Sequence, residues 1–369
     1  MLKRQHTRAL GFSGTGLTII FILLVSLLIT VEALGQGRGR SRRSSPGSGS
    51  GTTPAPRSEI NLNEISYKIA YETYRPTNGK NNWEIYLINA DGSNPVNLTN
   101  TPEINEFYPH ASPDGTKICF VADEGTDRRN RSRNVYYINI DGSRRTLVAQ
   151  NGRQPCWSPD GKSLAYLKGE YSRYSSDAAS NRGLYIYNLE TKKHRQHPNQ
   201  RLSHLFNLCW SSDGKWFTAT SRGWGSGNIA IGIDGTGDKS LGIRGCRPDI
   251  SPDGQKLSWG RTDYDLQIGN LDLSSRRPVT NEKTVVSCQR GYKVYHVDWS
   301  PDGKYLTFSY GPSRGSQAVG SRAAGWNICV YDIAADKWVQ VTTDGNHNKE
   351  PDWVPVKTQN PPAPAPQKN

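Results

Sequence analysis

Seven histidines are the first side chains to examine for chemistry, because imidazole acts both as a metal ligand and as a general base. Four of them lie at or just before predicted strands: His110, His204, His296 and His347. They do not share one position in the repeat that organises the chain. The sequence also has no His-Glu-x-x-His motif and no paired-cysteine motif. We therefore expect no metal ion and no other cofactor.

Motifs for covalent catalysis or phosphate binding are also absent from the sequence. It contains no Gly-rich phosphate loop, and we identify no paired-carboxylate motif and no nucleophile elbow in it. Ser, His and Asp are too scattered to nominate a catalytic triad. We therefore predict that the chain is not an enzyme.

Six cysteines offer a different chemistry, because an exported protein can form disulfides. Four of them fall inside predicted strands, where a thiol is a small buried apolar group: Cys119, Cys156, Cys209 and Cys329. Cys246 and Cys288 fall in the connections of neighbouring repeats, on one face. If any disulfide forms, this pair is the one we expect.

Two long loops are basic, at residues 123–133 and 168–182, and another loop contributes Arg222. Each follows the second strand of its repeat, and insertions in a repeat protein gather on one face that often binds a partner. Solvated loops of mixed charge are the alternative. We predict that an acidic partner docks on these arginines: Arg128, Arg129, Arg131, Arg133, Arg173 and Arg222.

These side chains must be positioned by a repeated unit that is visible along the chain. The turn sequence Ser-Pro-Asp-Gly occurs four times and Ser-Ser-Asp-Gly once, at 112–115, 158–161, 211–214, 251–254 and 300–303. A short extended stretch precedes each turn, and two runs rich in aromatic and β-branched residues follow, as expected for strands. Repeats of 40–50 residues with three or four strands are typical of β-propellers.

The two ends of the repeat array predict how the ring closes. Residues 66–99 form a repeat that lacks its first strand, and Glu350–Pro355 resembles a first strand without the rest. Together they complete one blade, and Trp353 is expected to lie buried between blades. We predict an all-β, six-bladed propeller, closed by pairing of N- and C-terminal strands, which leaves no open sheet edge.

Repeat symmetry also predicts a polar ring at the mouth of the central channel. The ring residues stand three positions before the site that holds tryptophan in four of the six repeats. A solvated channel lining is the alternative to a ligand or peptide site. The six residues are Tyr108, Gln154, Asn207, Arg247, His296 and Glu350.

The repeat resembles the WD-type repeat of the TolB propeller family. The matching segments are Trp157–Lys162 with Tyr187 and Asn188, and Trp299–Lys304 with Tyr331 and Asp332. The resemblance implies a propeller that binds something, without implying membership of a Tol–Pal system. It covers about residues 59–355, and where TolB carries an α/β domain before its propeller we expect only a linker in this sequence. Serine peptidases of the prolyl-oligopeptidase kind carry similar repeats, but their hydrolase domain is absent.

The termini predict export. Residues 1–35 contain a basic start and an uncharged apolar run at 17–31, which is typical of a signal peptide or, if retained, a membrane anchor. Residues 36–58 are a basic Gly/Ser/Pro linker expected to be disordered, 59–355 are the propeller, and 356–369 are a Pro-rich tail. The net charge is +13, yet residues 59–355 hold 36 basic against 32 acidic residues, so we expect no nucleic-acid partner.

Taken together, these features predict an exported, periplasmic or extracellular binding protein whose propeller holds a protein or other envelope partner. The alternative is an exported enzyme that acts on anionic polysaccharide. Some pectin-degrading lyases resemble TolB propellers and place a metal on His and Gln side chains from such strands, so this alternative would be a metal-dependent lyase.

Overall fold

Twenty-four strands make up almost all of the regular structure in the computed structural model, which describes residues 60–126, 130–169, 174–177, 179–223, 225–313 and 324–356. The remaining helix in these residues is a single 3-10 turn, Leu62–Glu64. No helix in the described ranges has the length and apolar character needed to cross a bilayer. The predicted signal or anchor segment and the linker lie outside these ranges.

The strands form six four-stranded antiparallel sheets, which are the blades of a propeller. From the channel outward, blade 1 contains β24 (His347–Val354), β1 (Lys68–Thr77), β2 (Lys80–Asn89) and β3 (Val96–Asn97). In the same order, blade 2 contains β4 (Asn105–Ala111), β5 (Lys117–Glu124), β6 (Ser132–Asn139) and β7 (Thr146–Ala149). Blade 3 contains β8 (Gly152–Trp157), β9 (Ser163–Gly169), β10 (Asn181–Asn188) and β11 (His194–Gln196).

The other three blades repeat the same order. Blade 4 contains β12 (Leu205–Trp210), β13 (Trp216–Ser221), β14 (Gly227–Gly232) and β15 (Lys239–Ser240). Blade 5 contains β16 (Cys246–Ile250), β17 (Lys256–Thr262), β18 (Asp265–Leu271) and β19 (Val279–Ser287). Blade 6 contains β20 (Tyr292–Trp299), β21 (Tyr305–Pro312), β22 (Asn327–Asp332) and β23 (Lys337–Gln340). The prediction of an all-β, six-bladed propeller is confirmed.

The Ser-Pro-Asp-Gly sequences form tight turns between the first and second strands of their blades. At the first of them, Gly115 N donates to Ser112 O at 2.8 Å, and Gly115 has a φ of 66°, which glycine adopts without steric cost. The Ser112 hydroxyl donates to Asp114 and accepts from Lys117 N. The same serine–aspartate hydrogen bond recurs in the other four turns. One local motif therefore connects the first and second strands in every blade that contains it.

The hydrophobic core is divided among the interfaces between neighbouring blades, because each sheet packs on both of its faces. One buried cluster lies at each of the six interfaces. Between blades 2 and 3, for example, Val121 and Val135 pack against Trp157 and Leu164, all of them buried. Burial on both faces explains why the middle strands are almost continuously apolar rather than strictly alternating.

Blade 1 joins the two ends of the described chain. β24 pairs antiparallel with β1, and Ile69 is opposite Trp353. Trp353 is 3% exposed and packs with Ile328 and Val330 of blade 6, so its predicted burial between blades is confirmed. The ring is therefore closed by hydrogen bonds between an N-terminal and a C-terminal strand.

Candidate functional site

The inner strand of every blade has an irregularity at the same place. Its register against the second strand shifts by one β-bulge, and the shift coincides with the predicted ring residue. All six of these residues have left-handed backbones, with φ of 56° at Tyr108, 40° at Gln154, 52° at Asn207, 61° at Arg247, 57° at His296 and 49° at Glu350. A bulge redirects a side chain that regular alternation would send elsewhere. Four of the six precede a proline, which tolerates a bulge because it has no N–H to lose from the ladder.

The six bulged residues all line one cavity at the mouth of the channel. The cavity holds about 100 Å³, and its lining also includes the residues that follow the ring along the inner strands. The structure therefore brings the whole predicted ring together, from six different blades. Left-handed non-glycine residues are strained, and such strain often marks positions where a side chain must be aimed.

Blades 6 and 1 contribute a pair of side chains that are in close contact with each other. His296 Nε2 lies 2.6 Å from Glu350 Oε1, and His296 Nδ1 lies 3.3 Å from the Ser309 hydroxyl. Burial, together with Arg247 and Lys349, holds the pKa of His296 well below its ordinary value, so the imidazole is neutral. Nδ1 is placed to accept from the Ser309 hydroxyl, whereas Nε2 is in close contact with Glu350 but makes no hydrogen bond of regular geometry to a described residue.

This serine–histidine–glutamate array has the composition of a catalytic triad but not its accessibility. Ser309 lies on β21 and is fully buried, and His296 is 5% exposed. A hydroxyl without solvent access cannot meet a substrate carbonyl, so the array serves to hold the Glu350 side chain in place.

Next to this pair, the ring around Tyr108 is held by contacts of the buried carboxylate of Glu72. Glu72 Oε2 accepts from Tyr108 N at 2.8 Å, while Glu72 Oε1 lies 2.8 Å from Lys349 Nζ. Burial raises the pKa of Glu72 to about 7, although the adjacent Lys349 opposes the rise. In this half of the mouth, each acid thus has a nitrogen within 3 Å, Lys349 Nζ for Glu72 and His296 Nε2 for Glu350.

The other half of the mouth, in blades 3 to 5, presents groups without partners. Gln154 Oε1 accepts from Asn207 N at 2.7 Å, and within the described residues its amide nitrogen has no acceptor. Asn207 Oδ1 is buried without a hydrogen bond, and so is Arg247 Nε. Arg247 Nη1 has only a contact of 3.5 Å with Cys246 Sγ, and the guanidinium lies 5.2 Å from the centre of the Tyr295 ring. Among the described residues no carboxylate forms an ion pair with Arg247.

Two residues below the ring, the same strands carry a second layer. Here three carboxylates accept backbone N–H groups from the next blade in sequence around the ring. Asp249 accepts from Trp299 N at 3.2 Å, Asp298 from Trp353 N at 2.8 Å, and Asp352 from Ala111 N at 2.8 Å. These carboxylates link blade 5 to 6, 6 to 1 and 1 to 2.

Crowding of these carboxylates changes their acidity. Burial, followed by repulsion from Asp352 and Asp249, raises the pKa of Asp298 well above its ordinary value. Burial also raises the pKa of Asp249 to about 6 and raises that of Asp352, while His110 lowers both. His110 Nε2 is 4.0 Å from Asp352. Sequence reasoning missed this layer, although Asp two positions after the ring residue in three repeats was the available signal.

The four histidines that were considered as metal ligands lie in different parts of the propeller. His110 lines the channel, His296 lies in the mouth, and His347 at the start of β24 packs against Trp83. His204 precedes β12 in blade 4. Across the part of the chain that the structure describes, no group of three or more His, Cys, Asp or Glu side chains is arranged to hold a metal ion.

The arginines predicted to dock a partner have very different surroundings. Arg222 has a side chain that is 65% exposed, with Asp177 at 3.9 Å. Arg131 lies over the Tyr174 ring at 5.1 Å. Arg133 contradicts the prediction: it is buried and makes a two-pronged ion pair with Asp123 at 2.7 and 2.8 Å, so it supports the fold instead. Arg128, Arg129 and Arg173 lie outside the described residues.

The predicted Cys246–Cys288 bridge is also contradicted, because all six thiols are free. Cys246 begins β16, the innermost strand of blade 5, whereas Cys288 follows β19, the outermost strand of the same blade. Three strand spacings of about 4.8 Å separate them, or roughly 14 Å. A disulfide needs Cα atoms within about 7 Å. The two residues lie on the same face of the propeller, as expected, but at different distances from its central axis.

Comparison with known proteins identifies the same repeat. The family PD40, described as the TolB beta propeller domain, matches residues 65–309. The TolB homolog of Chlorobaculum tepidum is 36% identical over 89 residues, which are 24% of this chain and 19% of that protein. Dipeptidyl-peptidase 5 of Trichophyton equinum is 28% identical over 169 residues, which are 44% of this chain and 20% of that protein. This chain thus spans about a fifth of the length of these two curated relatives.

A solved structure agrees at the level of the fold. TolB from Acinetobacter baumannii superposes with a TM-score of 0.58 at 19% identity, over 79% of this chain and 67% of that chain. The family match covers well over half of the chain and contains the turns that organise most of the blades. The chain therefore belongs to the TolB β-propeller domain family.

Proposed function

We propose that this propeller is a non-enzymatic binding module that docks a protein partner on the face containing the channel mouth. The observation that carries the proposal is that the bulged residues of all six blades line one cavity. Among the described residues, those of blades 3 to 5 have hydrogen-bonding groups without a partner. Buried polar groups are usually paired in folded proteins, and those left unpaired need an explanation. A partner that completes them would supply one.

The size of the mouth favours part of a protein over a whole small-molecule substrate. Small-molecule sites usually enclose roughly 300–1,000 Å³, whereas this cavity holds about 100 Å³. That volume suits the end of a side chain, with the rest of the contact made by the surrounding loops. Arg222 on this face is exposed and aids the encounter with an acidic partner through its charge.

The same proposal places the protein outside the cytoplasm. The basic start and the apolar run at 17–31 support export, with the propeller released or held near a membrane by the linker. N-terminal sequencing of the mature protein from its native envelope tests this part. A chain that begins at Met1 and remains in the cytoplasmic fraction would contradict it.

The binding test compares the two faces of the propeller by in-cell cross-linking and pull-down. Gln154→Ala and Asn207→Ala alter the mouth, whereas Lys162→Ala and Lys304→Ala alter exposed turns at the opposite end. We expect a partner that the wild type and the lysine variants retain and the mouth variants lose. Equal recovery by all of them would place the binding surface elsewhere.

A polysaccharide-acting enzyme is the second candidate, because the mouth contains both a histidine and a glutamine, His296 and Gln154. It predicts that purified protein contains a stoichiometric metal and depolymerises an anionic polysaccharide. Metal analysis by mass spectrometry, with an assay for unsaturated products, separates it from the binding module. The short match to dipeptidyl-peptidase 5 does not carry that enzyme's activity to this chain.

A further inference from the structure

We infer that the blade 3 to 5 half of the channel mouth is a carboxylate-binding site, built to receive an aspartate or glutamate side chain of the docked partner. The inference rests on the proposed function and specifies its chemistry. We call the three residues Gln154, Asn207 and Arg247 the donor arc.

Charge is the first reason. Arg247 is the cationic member of the mouth ring, and its Nε is buried with no hydrogen-bond partner. Its neighbours Cys246 and Tyr295 leave the charge without a paired acid. A guanidinium has five N–H donors in a planar fork that matches the two oxygens of a carboxylate. A buried cation of this kind is normally paired, so the geometry lacks an anion.

The neighbouring amides are the second reason. Gln154 is fixed by accepting from Asn207 N, which turns its NH₂ group away from that bond. The Asn207 amide has a buried, unpartnered oxygen position, and rotation of the amide by half a turn exchanges this acceptor for an NH₂ donor. The donor arc therefore places potential N–H donors from three adjacent blades in the lining of one cavity, and one of them has a full positive charge.

The acid already present in the mouth is held elsewhere. Glu350 Oε1 lies 2.6 Å from His296 Nε2. Burial raises the pKa of Glu350 and the charge of Arg247 opposes the rise, yet these two described residues form no ion pair within 4.0 Å. Glu72, the other nearby acid, is occupied by Lys349 and Tyr108 N. Because neither acid forms an ion pair with Arg247, a carboxylate that bonds the guanidinium directly would have to come from a partner. A carboxylate that entered the arc would make charge-assisted hydrogen bonds, which are shorter and stronger than neutral ones.

The test uses the peptide acetyl-Gly-Gly-Glu-Gly-Gly-amide as the probe and the ¹⁵N-labelled full chain as the receptor. The Arg247 Nε–Hε signal is assigned by its disappearance in Arg247→Lys. We expect this signal to move downfield in a saturable manner with the glutamate peptide. The glutamine analogue should bind at least about tenfold more weakly, as expected for loss of charged hydrogen bonds. Sodium chloride at equal ionic strength should produce no saturable shift.

Variants are followed through the side-chain amide signals of Gln154 and Asn207. Arg247→Gln should abolish saturable binding, and Arg247→Lys should weaken it because the fork is lost while the charge remains. Arg290→Gln, a change of the same kind at an exposed arginine outside the cavity lining, should leave the dissociation constant unchanged within about twofold. Thermal melting confirms that each variant is folded.

Three results would overturn the inference: no saturable shift with the glutamate peptide, equal binding of the glutamine analogue, or binding of tetragalacturonate alone. The last result would assign the arc to an anionic sugar. These outcomes are distinct from failure of the proposed function. A protein partner that depends on Gln154 and Asn207 but is retained by Arg247→Gln would preserve the binding module and exclude the carboxylate.

Discussion

The mouth ring and the carboxylate layer lie only two residues apart on the same inner strands, yet their side chains differ in whether they bond to the neighbouring blade. In the carboxylate layer, Asp249, Asp298 and Asp352 each accept a backbone N–H from the next blade. In the donor arc, Asn207 and Arg247 have buried polar atoms with no partner.

This contrast between the layers shows how a propeller separates stability from binding. Interactions between blades use the second residue after the bulge, which lies against the following inner strand. The bulged residue itself is aimed into the cavity, and among the described residues the donor-arc side chains make one hydrogen bond between blades, from Asn207 N to Gln154 Oε1. We therefore expect changes in the lower layer to affect folding and changes in the donor arc to affect ligands.

The strongest disruption removes both layers from blade 1 at once. Truncation after Asp344 deletes β24 and exposes the edge of β1. Loss of the buried Trp353 and Val354 side chains alone should cost roughly 3–6 kcal/mol of unfolding free energy. Urea denaturation of the truncated chain measures this, with truncation after Val356 as the control. If the two truncated chains had equal midpoints, closure through β24 would not stabilise the fold.

A second contrast concerns two arginines on the mouth face. Arg133→Gln removes one partner of a buried ion pair and leaves Asp123 without its cation, which should cost about 3 kcal/mol. Arg222→Gln changes an exposed side chain and should shift stability by less than about 0.5 kcal/mol. Comparison of their denaturation midpoints tests the assignment of Arg133 to the fold. Similar small losses in both variants would restore Arg133 as a docking residue.

The direct comparison of the two layers uses one alanine in each. Asp298→Ala leaves Trp353 N–H buried without its acceptor, so we expect a loss of about 2 kcal/mol at pH 6. Asn207→Ala removes an oxygen that has no partner, so stability should change by less than about 0.5 kcal/mol. Equal losses of stability in the two variants would mean that both layers contribute to folding, contrary to the proposal.

The smallest expected effect is a pH dependence of stability from the carboxylate layer. Raised pKa values mean that folded Asp249 and Asp298 bind protons more tightly than the unfolded chain does. Their contribution is complete below pH 3.8, the ordinary value of an aspartate in the unfolded chain, and is lost as the pH rises through about 6, the folded value for Asp249. We expect a decline on the order of 1–2 kcal/mol.

Asp298→Asn isolates this effect from the other buried acids of the protein. The amide keeps an oxygen for Trp353 N–H but removes a negative charge from beside Asp249 and Asp352. The variant should therefore gain stability relative to wild type at pH 8 more than at pH 5. Thermal melts at both pH values provide the measurement. An unchanged difference would show that repulsion in this layer does not affect folding.

The repeat, the turns and the membership of the mouth ring all follow from the amino-acid sequence. Ser-Pro-Asp-Gly is a local signal, since Ser112, Asp114 and Gly115 form their turn from contacts within a few residues. Closure through Glu350–Pro355 could also be predicted from the sequence, because the incomplete repeat at each end supplies the strands that the other lacks. Equivalent positions in a repeat occupy equivalent places around an axis, so the ring residues could be named without coordinates.

Which of those residues have partners depends on the folded arrangement of the blades. Glu350 pairs with His296 of the preceding blade while Arg247 pairs with no described acid, and this depends on distances across the channel that no sequence spacing contains. The same reason explains both corrections. Cys246 and Cys288 share a face but lie on opposite edges of blade 5, and Arg133 turns inward to Asp123. Loop position predicts a face of the propeller, whereas radius, burial and charge pairing are set by the packing of neighbouring strands.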